Sequence, residues 1–338
     1  MRPRPTRWLA ALAAAAFVCS MAVSMPEASA TPPLMFGAAV KAHAKLGPIG
    51  SVQNLEKKIG RKLRLIRVYD VWNAPFPDSY TSWLTDPTST QTGPGTPGGR
   101  TLVLSIKAVR SDGTRIPWSS IGSASPGSTL YAQIVGWANA IEAFGQPLYL
   151  SFNHEPEAAT NNPNGTATDY IAAWRNIHAI FDAQGVSNVT WTWIGTAFGF
   201  TAKANLKATR YYPGDDVVDV IGADGYNWYT CRPEAQLAWK TAAQIFGGFR
   251  TWVSTNHPTK PVIVTEFGSV EDPADATRKA GWITDAAAWF KGWNQVSGAM
   301  YWSSHAATKY PNCVFYADTS ANSTTAFAQM GADPDYSA

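Results

Sequence analysis

Charge is scarce in this chain. Asp, Glu, Lys and Arg make up only 15% of its 338 residues and the formal net charge is +3, so nothing in it resembles the basic face that nucleic acid or anionic lipid requires. Histidine is sparse too. The five His residues lack zinc-binding spacing, and His154-Glu155-Pro156-Glu157 has no second His four residues on. The sequence also has no Gly-x-Ser-x-Gly elbow and no Gly-x-x-x-x-Gly-Lys loop, the motifs of serine hydrolases and phosphate-binding NTPases. No motif calls for a metal or a cofactor, and the expected partner is close to neutral.

Long apolar runs are missing beyond the first thirty residues. Arg2, Arg4 and Arg7 precede an apolar stretch from Trp8 to about Val23, and Ala28-Ser29-Ala30 follows as a small-x-small cleavage site. This pattern predicts a secretory leader over residues 1–30, a mature secreted chain over residues 31–338, and no membrane association after cleavage. The leader takes one of the three cysteines with it. Cys231 and Cys313 remain, an even pair in an oxidising compartment, for which a disulfide is the default and two buried free thiols the alternative. Closing so long a loop contributes on the order of 4 kcal/mol if the geometry is unstrained. Asn164-Gly165-Thr166, Asn188-Val189-Thr190 and Asn322-Ser323-Thr324 match glycosylation acceptors, but the leader has a bacterial character.

Against that thin background, aromatic residues stand out at 12%, with 15 Trp. Such a balance suits neutral, ring-shaped ligands held by stacking, or simply an aromatic-rich core. Eight apolar runs of strand length recur: residues 34–40, 63–69, 101–109, 147–152, 188–194, 217–223, 261–265 and 297–302. Near-continuous Val, Ile, Leu and Phe in them predict strands buried on both faces. Helical spacing follows over residues 131–144, 169–184, 235–253 and 274–293, and more weakly over 79–84. The expected fold is therefore α/β, a single-domain (β/α)₈ barrel over residues 31–338, with residues 85–99 as a long loop. An open doubly wound sheet fits less well, because no Gly-rich phosphate loop follows the first strand. No internal repeat is evident, and a monomer is the default expectation.

In such barrels, chemistry sits at the C-terminal ends of the strands. The fourth strand ends Ser151-Phe152-Asn153-His154-Glu155-Pro156 and the seventh ends Val264-Thr265-Glu266-Phe267-Gly268. A single Glu at a strand end is usually a rim salt bridge or a solvated side chain. Two of them suit acid/base and nucleophilic roles at a glycosidic bond.

These two strand ends resemble the clan A glycoside hydrolases, and within them family 26, whose β-mannanases carry His-Glu on strand four and Thr/Ser-Glu-Phe/Trp-Gly on strand seven. The resemblance implies a barrel over the whole mature chain, Glu155 as general acid/base, Glu266 as nucleophile and a polysaccharide substrate, with β-1,4-mannan favoured over mixed-linkage β-glucan and xylan. Strand six, Asp224-Gly225-Tyr226-Asn227-Trp228, matches as well and implies that Tyr226 hydrogen-bonds the nucleophile. Trp302 matches the tryptophan that floors a sugar subsite. Asn153 and His154 are further candidates for sugar contacts, Trp228 and Trp193 for stacking, and Arg67 for bonding the carboxylates. A catalytically silent carbohydrate-binding barrel is the alternative to an enzyme. The chain departs from the family after His154-Glu155, where Pro156-Glu157-Ala158-Ala159 replaces a segment normally rich in aromatics. Glu157 is therefore a rival acid, although Pro156 is expected to end the strand before it.

Overall fold

The computed structural model describes Met1 and residues 33–86, 99–159, 162–232, 238–305 and 310–337. The expected leader, Met1 apart, lies outside them, as does most of the 85–99 loop. Eight parallel strands close a barrel in chain order: β1 Met35–Val40, β2 Leu65–Val71, β3 Thr101–Lys107, β4 Leu148–Phe152, β5 Val189–Thr196, β6 Val220–Asn227, β7 Val262–Ser269 and β8 Val296–Ser303. Helices α1 Gly47–Ile59, α2 Ser79–Thr85, α3 Trp118–Gly122, α4 Thr129–Phe144, α5 Ala167–Ala183, α6 Ala242–Asn256, α7 Arg278–Lys291 and α8 Ala321–Ala332 accompany it. This is the expected (β/α)₈ barrel. No helix among the described residues is long and apolar enough to cross a membrane.

Local chemistry sets the boundaries. Capping boxes start α5, with Thr166 and Asp169, and α6, with Thr241 and Gln244. That second cap places the start of α6 at Ala242, seven residues later than hydrophobic spacing alone suggests. Strand β6 begins at Val220 rather than 217, because Asp215–Val217 form a 3₁₀ turn. Between β5 and β6 the described chain has no α-helix. Four 3₁₀ turns, Ala197–Phe200, Ala204–Leu206, Ala208–Tyr211 and Asp215–Val217, take its place.

Packing inside the barrel is close. Leu65, Val103, Val220, Ile263 and Met300 form an interior cluster, and Gly37 on β1 is held so tightly against it that a Cβ there would lie 2.6 Å from the Leu65 side chain. Outside, the larger core joins strands to helices. A buried ion pair ties α1 to the start of β3: Arg100 donates through Nε and Nη2 to both oxygens of Glu56, at 2.9 and 2.7 Å. Lys62 and the Leu63 amide add to the same carboxylate, so its charge is fully met despite its burial.

Candidate active site

Strands β6 and β7 each run four residues past their expected ends, and that extension carries the polar cluster. A cleft of about 1300 Å³ opens over the C-terminal rim, lined by residues that include Glu155 and Glu266. On the β4 side the strand finishes at Phe152, and the backbone then turns through two left-handed residues, Asn153 at φ 43° and Glu155 at φ 52°. Each such residue costs of order 1–3 kcal/mol unless its surroundings enforce it. Enforcement comes from both neighbours, since the Asn153 amide donates to Ile106 O on β3 and the Glu155 amide to Ile194 O on β5, both at 2.8 Å.

Asn153 is corrected here as a sugar contact. Its side chain is buried and its Oδ1 accepts from the Ala108 amide at 3.0 Å, so it braces the turn that presents Glu155 and does not line the cleft. His154 does line the cleft, with its ring 5.4 Å from that of Tyr69. Burial, with the positive charges of Arg67 and Lys107, holds His154 well below the usual imidazole range, so it is neutral near pH 7.

Glu266 on β7 is buried and held from three sides. Tyr69 donates to Oε1 and Tyr226 to Oε2, and Arg67 Nε lies 3.5 Å from Oε1. Burial, then the negative charge of Glu266, pushes both phenols well above their usual range, so they remain donors. Asp224, two residues before Tyr226 on the same face of β6, accepts from Thr265 Oγ1 at 2.5 Å. Its pKa is raised well above the carboxylate range, by burial first and then by Glu266. Glu155 shows the same two causes, with Glu157 adding to them, and is pushed up to about 8. The two glutamates thus sit in one cleft in different settings, Glu155 raised by its surroundings and Glu266 gripped by two phenols and a guanidinium.

Ligand atoms of His154, Asp224 and Glu266 all lie within 4.8 Å of one another, a spacing compatible with a cation. The Arg67 guanidinium already faces the same acids. Although burial opposes its charge, the fields of Asp224 and Glu266 help to keep it protonated.

Around Glu266 the wall is aromatic. Trp228 and Trp302 are part-exposed and line the cleft. Tyr226 lies 5.4 Å from the Trp228 ring and 5.1 Å from that of Trp302. The expected disulfide is present between Cys231 and Cys313, with Cα atoms 5.0 Å apart. It holds the loop in which Arg232 lies over Trp228, 4.5 Å from the ring centre. Trp193 is corrected as a platform: it is fully buried and packs edge-on against Phe200 and Tyr212. On β5 its position faces the helix layer, and its neighbours on the strand, Thr192 and Ile194, take the inner face.

Sequence reading missed Tyr69 and Asp224. Both lie two residues from a residue it had named, Arg67 on β2 and Tyr226 on β6, and residues two apart on a strand share a face. That spacing was the available signal. Glu157 lines the same cleft, and burial pushes its carboxyl up to about 7. It is buried, and its Oε1 accepts from the amide and the hydroxyl of Thr196 at 2.6 and 2.7 Å.

Residues 133–315 match the profile of glycosyl hydrolase family 26. Endoglucanase H of Acetivibrio thermocellus is 29% identical over 263 residues, 75% of this chain but 26% of that protein, so the chain spans about a quarter of that relative's length. Among solved structures, the catalytic domain of a Bacillus sp. JAMB-750 family 26 endo-β-1,4-mannanase superposes with a TM-score of 0.57 at 17% identity, covering 90% of this chain and 87% of that one. A modular endo-β-1,4-mannanase from Cellulomonas fimi gives 0.59 at 17% identity, covering 90% and 71%. At these identities the structural likeness speaks for the fold.

Proposed function

The chain belongs to glycosyl hydrolase family 26, and on that premise we propose that it is a secreted endo-β-glycanase that retains anomeric configuration, with Glu155 as acid/base and Glu266 as nucleophile. One observation carries this reading: Glu155 and Glu266 share a cleft, the first raised to about 8 and the second held by two phenolic donors and an ion pair with Arg67. A carboxyl that keeps its proton near neutrality can give it to a leaving oxygen, and a carboxylate fixed by phenols and a guanidinium can attack carbon.

In the first step Glu266 forms a bond to the anomeric carbon as the glycosidic C–O bond breaks, and the Glu155 proton passes to the departing oxygen. The negative charge that adds to burial in raising Glu155 is neutralised in the glycosyl-enzyme, so its pKa falls and it becomes better able to act as a base. In the second step it takes a proton from water, whose oxygen attacks the same carbon and releases Glu266. Two inversions restore the original configuration. Tyr226, Tyr69 and Arg67 hold Glu266 in line throughout, and neutral His154 supplies a hydrogen-bonding group beside the acid.

The His154-Glu155 pair favours β-1,4-mannan as substrate, by its likeness to the family's mannanases. A second reading, β-glucan, is favoured by the likeness to Endoglucanase H, although three quarters of that protein lie outside the match. Reducing-end release from pure galactomannan, mixed-linkage β-glucan, carboxymethylcellulose and xylan, with the products sized, tests both. Rapid loss of viscosity with oligosaccharide products on mannan or glucan supports the proposal, whereas no hydrolysis of any of them would contradict it and favour the carbohydrate-binding barrel.

A further inference from the structure

Apart from Met1 and Leu46, the exposed large hydrophobic side chains among the described residues are Tyr69, Phe198 and Leu206. All three line the cleft. Tyr69 is engaged with Glu266. Phe198, 67% exposed, is the most exposed aromatic side chain among the described residues, and nothing in the mechanism above uses it. It sits on the turn Ala197–Phe200 directly after β5. That strand adjoins β4, and its Ile194 carbonyl holds the Glu155 amide, so Phe198 belongs to the acid's side of the cleft. Trp302, Trp228 and Tyr226 gather on the nucleophile's side.

The turn is fastened by a buried group that the mechanism above also leaves unused. Glu157 Oε1 accepts from both the amide and the hydroxyl of Thr196, and that hydroxyl accepts from the Gly199 amide at 2.9 Å. Only glycine fits beside this clamp, because a Cβ on residue 199 would lie 2.6 Å from Glu157 Oε1 and 2.8 Å from the Ala208 side chain. Burying a carboxylic group is costly, and here it fixes a surface turn whose outermost ring points to solvent.

We propose that Phe198 is the stacking platform for the leaving-group sugar, the residue of the chain attached through the oxygen that Glu155 protonates, and that Glu157 and Thr196 are positioning residues for it. A pyranose presents an apolar C–H face that a flat exposed ring can cover without asking for hydrogen bonds. The acid must stand on the leaving-group side of the scissile bond, and the apolar surface on that flank is Phe198 with Leu206 and the exposed Ala159.

This inference rests on the glycanase reading, and the test separates the two. Phe198→Ala and Phe198→Tyr are compared with the wild type on a polysaccharide and on a glycosyl fluoride, whose leaving group is a single atom and leaves the platform empty. For Phe198→Ala, kcat/KM on the polysaccharide should fall about tenfold, with the fluoride rate within about twofold of wild type, the scatter allowed for an uninvolved site. Phe198→Tyr should restore the polysaccharide rate. Thr196→Val, which breaks the clamp without touching the ring, should show the same selective loss to a smaller degree. Equal losses on both substrates, or none on the polysaccharide, would overturn the platform while leaving the enzyme reading intact. A wild-type protein inactive on both would overturn both.

Discussion

The two flanks of the cleft are built differently. On the nucleophile's flank, Tyr226, Trp228, Trp302 and Phe315 pack against one another with ring centres 5.1 to 5.5 Å apart. Arg232 lies over Trp228, and the Cys231–Cys313 disulfide ties the β6 and β8 loops together. On the acid's flank a lone ring stands on a 3₁₀ turn, held by one buried carboxyl. In the proposed mechanism one sugar stays bonded to Glu266 through two steps, while the other departs after the first. A packed wall suits the sugar that stays, since mispositioning by an ångström is costly when a bond must form. A single fastened ring suits the one that leaves.

The comparison breaks most sharply at the carboxylates. Glu266→Ala should lower kcat/KM on the polysaccharide by at least about four orders of magnitude, as expected when a covalent nucleophile is removed. Reducing-sugar release checks this, and near wild-type rates would end the assignment. Glu155→Ala should cost about 10²- to 10⁴-fold on the polysaccharide, the usual range for a general acid. With a dinitrophenyl glycoside its glycosylation step should stay fast, and added azide should speed turnover. Trp302→Ala should lower kcat/KM by about 1–2 kcal/mol. Unlike Phe198→Ala, it should do so on the fluoride as well as the polysaccharide, because its sugar is present in both.

A smaller and more specific effect concerns pH. Burial and the charge of Glu266 raise Glu155 to about 8, and a general acid works only while protonated. Activity should therefore hold below that value and fall as pH rises through it. In Glu266→Gln one source of the upward shift is gone, so the Glu155 carboxyl should titrate lower, which carbon-13 NMR of labelled glutamate can follow. A Glu155 titration unmoved by that change would mean that the two carboxyls do not sense each other.

Much of this was legible in the sequence. Eight apolar runs separated by helical spacing are enough to specify the barrel, because strands covered on both faces read as continuous Val, Ile and Leu. Glu155 and Glu266 stood out because each follows such a run. Strand direction was harder to read. Trp193 and Trp302 look alike in sequence, yet one faces the helix layer and the other the cleft, and the parity that separates them depends on where each strand enters the barrel. Asn153 was misread for a related reason: its role follows from a left-handed backbone turn that no local residue pattern announces. Tyr69 and Asp224 were hidden because their importance lies in contacts with β7, nearly 200 and about 40 residues away in the chain. The bond that Glu157 accepts from Thr196 was hidden for the same reason, since the partner lies 39 residues away on the next strand.

The central claim is that Glu266 bonds to the sugar while Glu155 shuttles the proton, and the anomer first released reports on it directly. Proton NMR of an oligosaccharide digest, recorded before mutarotation, should show the β-anomer appearing first and the α-anomer growing only as the two equilibrate. First release of the α-anomer would contradict the account, because it requires water rather than Glu266 to attack the anomeric carbon.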